Sequence, residues 1–500
     1  MLPFPLLYSL GSAAVAPLLF GYHMAELNAP ESAIRCPTPT VTPSSASLGL
    51  PTLPHCITMS NSDFGLVTSI FAFGGLGGAL LGAPLSNRYG RRGSLLLCSL
   101  GFALGGLVMA FAGSLGGMLA GRMISGIASG AAVVVVPLYV HELAPEGEKG
   151  SFGAITQISV NLGILLTQTL GLFLSKEVLW RLILGVGAVL GAIQGLLLLR
   201  AHESPRWLAA NGQQGDAENS LHALRGRNLS MAEIEQALSD HQGGTSAEVE
   251  PLISDEEEGQ KATTQPKITL LEFVTTSKYR KELIAVIGIM LVQQLTGINA
   301  IVMYGVSVLR ELIPENGAAL INVFISATNL FFTWYASRFF DSAGRKPYLL
   351  ASIGGMGINS LALGLGIIFH IPLLSAIATI LFVCSFSIGL GPIPWMVAAE
   401  TVEFSASGAA QSISLCASWI GTFLVGYGFP VLAATGLGKG GVFLLFAVVA
   451  LLGAMFVERF IPETKGKTVS EAWANHEANL KGRDWLGFFR KGGERVLRND

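Results

Sequence analysis

Twelve stretches of this chain are too long and too evenly apolar to be anything but helices in lipid. They run over 5–26, 64–86, 94–113, 116–141, 151–174, 180–200, 282–310, 317–340, 347–369, 373–400, 408–434 and 440–461, each close to the ~20 helical residues that span about 30 Å of hydrocarbon. Unbroken apolarity excludes the in-out alternation of a membrane β-barrel. Composition agrees: 13% of the residues are charged, against about 25% in soluble domains, so a soluble multidomain enzyme is excluded. The first stretch lacks a basic leader and is followed by eleven more, so it reads as a span and not as a signal peptide.

Charge assigns the sides. The connections Asn87 to Arg92 and Ser337 to Lys346 are short and basic, whereas the segment Leu27 to Asp63 has Arg35 as its only lysine or arginine. The basic connections therefore face the cytoplasm, and so do both termini. Cys36 and Cys56 lie in the opposite segment, 27–63. An oxidising compartment there lets them pair; the alternative is two thiols in a loop. A net charge of −2 gives no polycationic surface, which sets nucleic acid aside as a partner.

Short polar motifs recur roughly 255 to 260 positions apart: Gly90-Arg91-Arg92 with Gly344-Arg345-Lys346, Glu142 with Glu400, and Glu203 with Glu463. A parallel repeat of six spans places a pseudo-two-fold axis along the membrane normal, with a cavity on it. The expected architecture is an all-α membrane protein of twelve transmembrane helices in two pseudo-symmetric six-helix bundles. The bundles cover 1–200 and 282–461, a cytoplasmic central loop covers 201–281 and a cytoplasmic tail 462–500. The central loop begins helical and charged, then turns acidic and low in complexity at Asp255 to Glu258, a composition that cannot bury a core.

Amides inside apolar spans cost free energy unless partnered, so clustered ones line a cavity. Gln157 and Gln168 in the fifth span, Gln293, Gln294 and Asn299 in the seventh and Asn322 in the eighth form such a set. Neutral groups that both donate and accept suit an uncharged polyhydroxy ligand. Gly297 and the run Gly391-Pro392-Ile393-Pro394 interrupt the seventh and tenth spans, and lipid tolerates such breaks only beside protein or a wet cavity. His23, with Glu26 one turn on and Arg122 in the fourth span, is an intramembrane ionisable group, hence a candidate for proton coupling. No nucleophile with a base, metal cluster or nucleotide loop stands out, so neither an enzyme nor a cofactor is expected.

The segments FGYHMAELNAP (20–30), NRYGRR (87–92), GRMISG (121–126), the run from PLYVHELAP to KG (137–150), HESPRW (202–207), QQLTGIN (293–299), DSAGRK (341–346), GPIPW (391–395) and PETKGKT (462–468) together resemble a sugar porter of the major facilitator superfamily, similar to the glucose transporters and to fungal vacuolar porters. The resemblance implies a hexose or related polyol as substrate, moved by alternating access either facilitatively or with a proton, by a monomer. It makes Gln157, Gln293, Gln294, Asn299 and Asn322 the sugar-binding amides, with Trp395 and Trp419 packing on the sugar and Tyr304 closing over it. It makes Arg91, Arg92, Glu142, Lys149, Glu203 and Arg206, with Asp341, Arg345, Glu400 and Glu463, an inner gate whose charges cluster when the halves close. The chain departs from the family at Lys149 and Ser407, where arginines stand, at Ser387, where glucose transporters have glutamate, and at Ser418, where they have asparagine. In proton symporters the His23 position is aspartate.

Two further readings are open. Glu248, Leu252 and Ile253 fit an acidic dileucine signal, which would bring an adaptor complex and favours a vacuolar or lysosomal membrane over the plasma membrane. The alternative function is a membrane receptor that binds sugar without moving it; sugar-sensing relatives carry very long tails, and this one is short.

Overall fold

The structure is a computed structural model that describes residues 3–36, 53–144, 149–225, 270–310, 312–336, 344–403 and 406–482. Twelve of its helices are long and apolar enough to cross a membrane: α1 Phe4–Ala25, α2 Asn61–Tyr89, α3 Arg91–Ala110, α4 Leu115–Leu143, α5 Lys149–Leu174, α6 Trp180–Leu198, α7 Ser277–Leu309, α8 Glu315–Ala336, α9 Arg345–Ile368, α10 Pro372–Ala398, α11 Ser407–Ala433 and α12 Gly438–Phe460. Twelve crossings among the described residues, an even number, return the described chain to the face it left, here called the terminal face. Lipid offers no hydrogen bonds, and a helix satisfies its own backbone, which is why every crossing takes this form.

Glycine lets these helices approach backbone to backbone. Gly74, Gly78 and Gly82 repeat every fourth residue along α2 and meet α4, where a Cβ on Gly78 would sit 2.0 Å from the Ile127 carbonyl oxygen. Gly126 and Gly130 answer from α4, and Gly21 and Gly163 do the same between α1 and α5. Lipid tails are as apolar as leucine, so close packing of small residues supplies the attraction that water would otherwise drive.

The opposite face carries the segment between α1 and α2. Cys36 and Cys56 are joined there by a disulfide, their Cα atoms 5.7 Å apart, beside a parallel pair of two-residue strands, β1 Arg35–Cys36 and β2 Ile57–Thr58. This pair is the one departure from an all-helical chain among the described residues. Arg181 of α6 donates to the Pro54, Ala110 and Ala112 carbonyls, and Trp180 donates to the His55 carbonyl, which pins this segment to the bundle. Helices Pro205–Ala210, Gln214–Arg225 and Val469–Gly482 lie on the terminal face. The last is tied down where Trp473 donates to the Thr401 carbonyl at 3.0 Å.

Candidate substrate site

The α7 helix breaks at Gly297, whose φ of 96° is left-handed and suits glycine. The α10 helix breaks between Ile388 and Ile393. Each break frees backbone groups that lipid cannot satisfy. Gln293 of α7 does so across the bundle: its Nε2 donates to the Leu390 and Gly391 carbonyls at 2.8 and 2.7 Å. On the other side of the same break, the Leu390 N–H donates to the Ser352 hydroxyl at 2.8 Å.

From Gln293 the network spreads. Gln294 donates to the Gln293 oxygen at 3.1 Å and to the Ser418 hydroxyl at 2.8 Å. Asn299 donates to Gln294 at 2.7 Å and to Thr422 at 3.1 Å. All three amides are buried in the C-terminal half. Asn299 Oδ1 in this network has no partner, and neither do Asn322 Nδ2, Gln168 Oε1 and Trp419 Nε1. A ligand or water that bonded such buried groups would relieve the cost of leaving them unpaired. Gln157 is half-buried on α5.

The serine substitutions take on local roles. Ser418 accepts from Gln294, and Ser387 donates to Asn329 Oδ1 at 2.6 Å. Asn329 and Thr333 of α8 meet Asn161 of α5, with Asn161 donating to Thr333 at 2.9 Å and Asn329 donating to Asn161 at 3.3 Å. This seam joins the two halves. Neither asparagine was singled out in the sequence, although an amide in an apolar span was the signal that picked out the glutamines.

The aromatic residues divide. Trp419 of α11 is wedged into the N-terminal half, 5.6 Å from Phe20 and 6.1 Å from Phe71 between ring centres, and a Cβ on Gly75 would lie 2.5 Å from its ring. Trp395, in the part of α10 beyond the break, is 37% exposed. Tyr304 donates to the Gly426 carbonyl at 2.6 Å, stacks on Phe429 and meets Phe64 of α2 edge-on. Tyr304 is therefore closed against α11 and α2 on the disulfide face.

On the terminal face, two pairs of the charges expected to cluster between the halves lie within single halves. Arg91 meets Glu142 at 2.6 Å and Arg345 meets Glu400 at 3.1 Å. Glu203 accepts from the Arg91 and Arg92 backbone N–H groups at 2.9 and 3.1 Å, and Glu463 accepts from those of Arg345 and Lys346 at 2.9 and 3.0 Å. Each carboxylate caps a helix N-terminus, where the aligned backbone dipoles favour negative charge. Gly90 and Gly344, with φ of 81° and 93°, make room for it. Arg206 is buried in the short helix Pro205–Ala210. Lys149 starts α5, while Asp341, Glu248, Leu252 and Ile253 lie outside the described residues.

A second polar centre sits wholly inside the N-terminal half. His23 Nδ1 is 2.9 Å from one Glu26 oxygen and Arg122 Nη1 is 3.0 Å from the other. Arg122 also donates to the His23, Val67 and Thr68 carbonyls and lies over the Phe71 ring, 4.5 Å from its centre. His23 stacks on Phe102, and its Nε2 has no partner. All three side chains are fully buried.

Comparison with known proteins agrees with this geometry. A sequence model of the family described as "Sugar (and other) transporter" matches residues 11–474. A probable metabolite transport protein of Saccharomyces cerevisiae is 36% identical over 470 residues, covering 93% of this chain and 94% of its own. Vacuolar protein sorting-associated protein 73 of the same yeast is 32% identical over 92% of this chain and 94% of its own. The facilitated glucose transporter member 3 of Gallus gallus is 32% identical, over 95% and 92%. Among solved structures, the inward-open xylose transporter of E. coli superposes with a TM-score of 0.75 at 23% identity, covering 94% of this chain and 99% of that one. The same bacterial symporter bound to 6-bromo-6-deoxy-D-glucose gives 0.69 at 24% identity, over 94% and 98%.

Proposed function

The chain belongs to the sugar (and other) transporter family, and from that premise we propose that it carries a neutral hexose or related polyol across its membrane by alternating access. The observation that carries this reading is the buried amide network on α7, with its unpartnered Asn299 oxygen and, on α8, the unpartnered Asn322 nitrogen. Such a surface gives and takes hydrogen bonds with adjacent hydroxyls and repels no charge. The protein as described faces the cytoplasm. In support, Tyr304 is closed on the disulfide face, bonded to Gly426 of α11 and set edge-on to Phe64 of α2. The bundles are 1–200 and 282–461, joined by a cytoplasmic linker, and the tail and both termini are cytoplasmic. The functional unit is a monomer.

Purified protein in liposomes tests the reading by counterflow of labelled hexoses, pentoses and polyols. A transporter exchanges label against its own substrate; binding without exchange contradicts transport and would point to a receptor.

Proton coupling is a second reading, favoured by the His23–Glu26–Arg122 centre. With His23 neutral, Glu26 and Arg122 balance. One added proton on the His–Glu pair leaves a net positive charge in a fully buried site, and such a charge shifts a two-state equilibrium if the two states solvate it differently. His23→Asn is expected to leave exchange within about twofold of wild type and to abolish uphill uptake driven by a pH gradient, a separation that coupling free energy allows. Unchanged accumulation would remove this reading.

We further propose a vacuolar or lysosomal membrane, to which Glu248, Leu252 and Ile253 direct the chain by recruiting an adaptor complex; one yeast relative bears the name vacuolar protein sorting-associated protein 73. A tagged Leu252→Ala/Ile253→Ala chain is expected to move to the plasma membrane, and an unchanged compartment would show the signal to be inert.

A further inference from the structure

Asn28 lies just past the end of α1 and, among the described residues, makes a concentrated set of side-chain bonds between the two halves on the disulfide face. Its Nδ2 donates to the Val302 carbonyl at 2.8 Å and lies 3.4 Å from Asn322 Oδ1. Its Oδ1 accepts from the Val306 backbone N–H at 3.0 Å. A single amide from the N-terminal half thus spans a full turn of α7 and reaches the substrate-site asparagine of α8. The side chain is 1% exposed. The bonded turn contains Tyr304, which closes on Gly426.

We propose that Asn28 is the latch that holds the non-cytoplasmic entrance shut, by clamping the Val302–Val306 turn of α7 to α1. The inference rests on the transport reading and adds a residue to it. Two features set Asn28 apart from ordinary interhelical glue. First, the α7 turn it holds lies beyond the Gly297 break, so it belongs to a separate helical piece, Ile298–Leu309, that can swing while Arg280–Leu295 stays in place. Second, Asn28 sits two residues after Glu26, so any shift of α1 that follows a change at the buried His–Glu–Arg centre moves the latch. Asn322 keeps its Nδ2 unpartnered while its Oδ1 faces Asn28. A sugar hydroxyl that accepts from Asn322 Nδ2 leaves this contact in place, whereas one that donates to Oδ1 competes with Asn28 for the same oxygen.

The test uses the full chain in liposomes with Ser69→Cys as reporter and with Cys384→Ser and Cys416→Ser removing two free thiols, leaving Cys98, which is buried in the core of the N-terminal half. Ser69 is fully buried on α2, facing Gly426 across the closed entrance. A membrane-impermeant maleimide is applied from the disulfide side, with site-resolved mass spectrometry. Adding Asn28→Ala is expected to raise labelling at the reporter at least fivefold while labelling at Cys98 stays level, because the entrance opens and the core of the half does not. Asn28→Ser, which can keep one bond, should fall between. An unchanged reporter rate overturns the latch, and so does a rise at both thiols, which is general loosening. Counterflow by the Asn28-intact reporter chain is measured in the same vesicles: its absence counts against transport, whereas the labelling ratio judges the latch alone.

Discussion

Gln293→Ala is expected to lower sugar counterflow about a hundredfold, equivalent to about 2.7 kcal/mol. The size follows from what the side chain does twice over. Its Nε2 satisfies two carbonyls at the α10 break, and its Oε1 orients Gln294, which in turn holds Asn299. Removing it leaves buried acceptors unpaired, at about 1–3 kcal/mol each, and lets the break relax beside Trp395. Gln293→Glu should lose as much activity, because an ionised carboxylate offers no donor to those carbonyls. Gln294→Ala leaves the α10 break satisfied, so its loss should appear mainly in the apparent affinity for sugar. Initial rates over a range of sugar concentrations separate the two variants, and equal behaviour would detach the break from the site.

The second large effect concerns folding. Arg122→Leu strands Glu26 as a buried charge among apolar side chains, and breaking a buried pair from one side costs about 3–5 kcal/mol. Arg122 further satisfies three backbone carbonyls of α1 and α2. The variant is expected to accumulate at under a tenth of the wild-type level in membranes. Adding Glu26→Leu removes the stranded carboxylate, so the double variant should recover much of the protein while losing any response to a pH gradient. Quantitative immunoblotting of membranes reads the first effect. A double variant no better than the single one would mean that the carbonyl contacts, and not the charge, hold this region together.

How far the sequence carried these conclusions depends on distance along the chain. Twelve crossings are legible because length and apolarity are local properties, and the amides of α7 stand out because lipid makes each one costly. Asn28 is invisible to the same reasoning: it lies beyond the apolar run, and only the fold brings it to Val302, Val306 and Asn322. Asn161 and Asn329 obey the amide rule, but nothing local says that they face each other across the halves. Glu203 and Glu463 read as gate charges because charge is what a sequence displays. Their role as caps needs the left-handed turns at Gly90 and Gly344 to bring a distant carboxylate onto a helix end. Trp419 stands out as an aromatic in a span, but the slot that Gly75 of α2 leaves for its ring is visible only in the fold.

The central claim is that the two halves part and close around the amide chamber in every transport cycle. A Ser69→Cys/Gly426→Cys pair tests it directly, since a Cβ placed on Gly426 lies 3.4 Å from that of Ser69, close to the separation that a disulfide spans. Oxidation should abolish counterflow, and mild reduction should restore it, with the parent chain unaffected by either treatment. Full counterflow by the verified crosslinked protein would contradict the claim, because sugar would then be crossing without the disulfide face ever opening between α2 and α11.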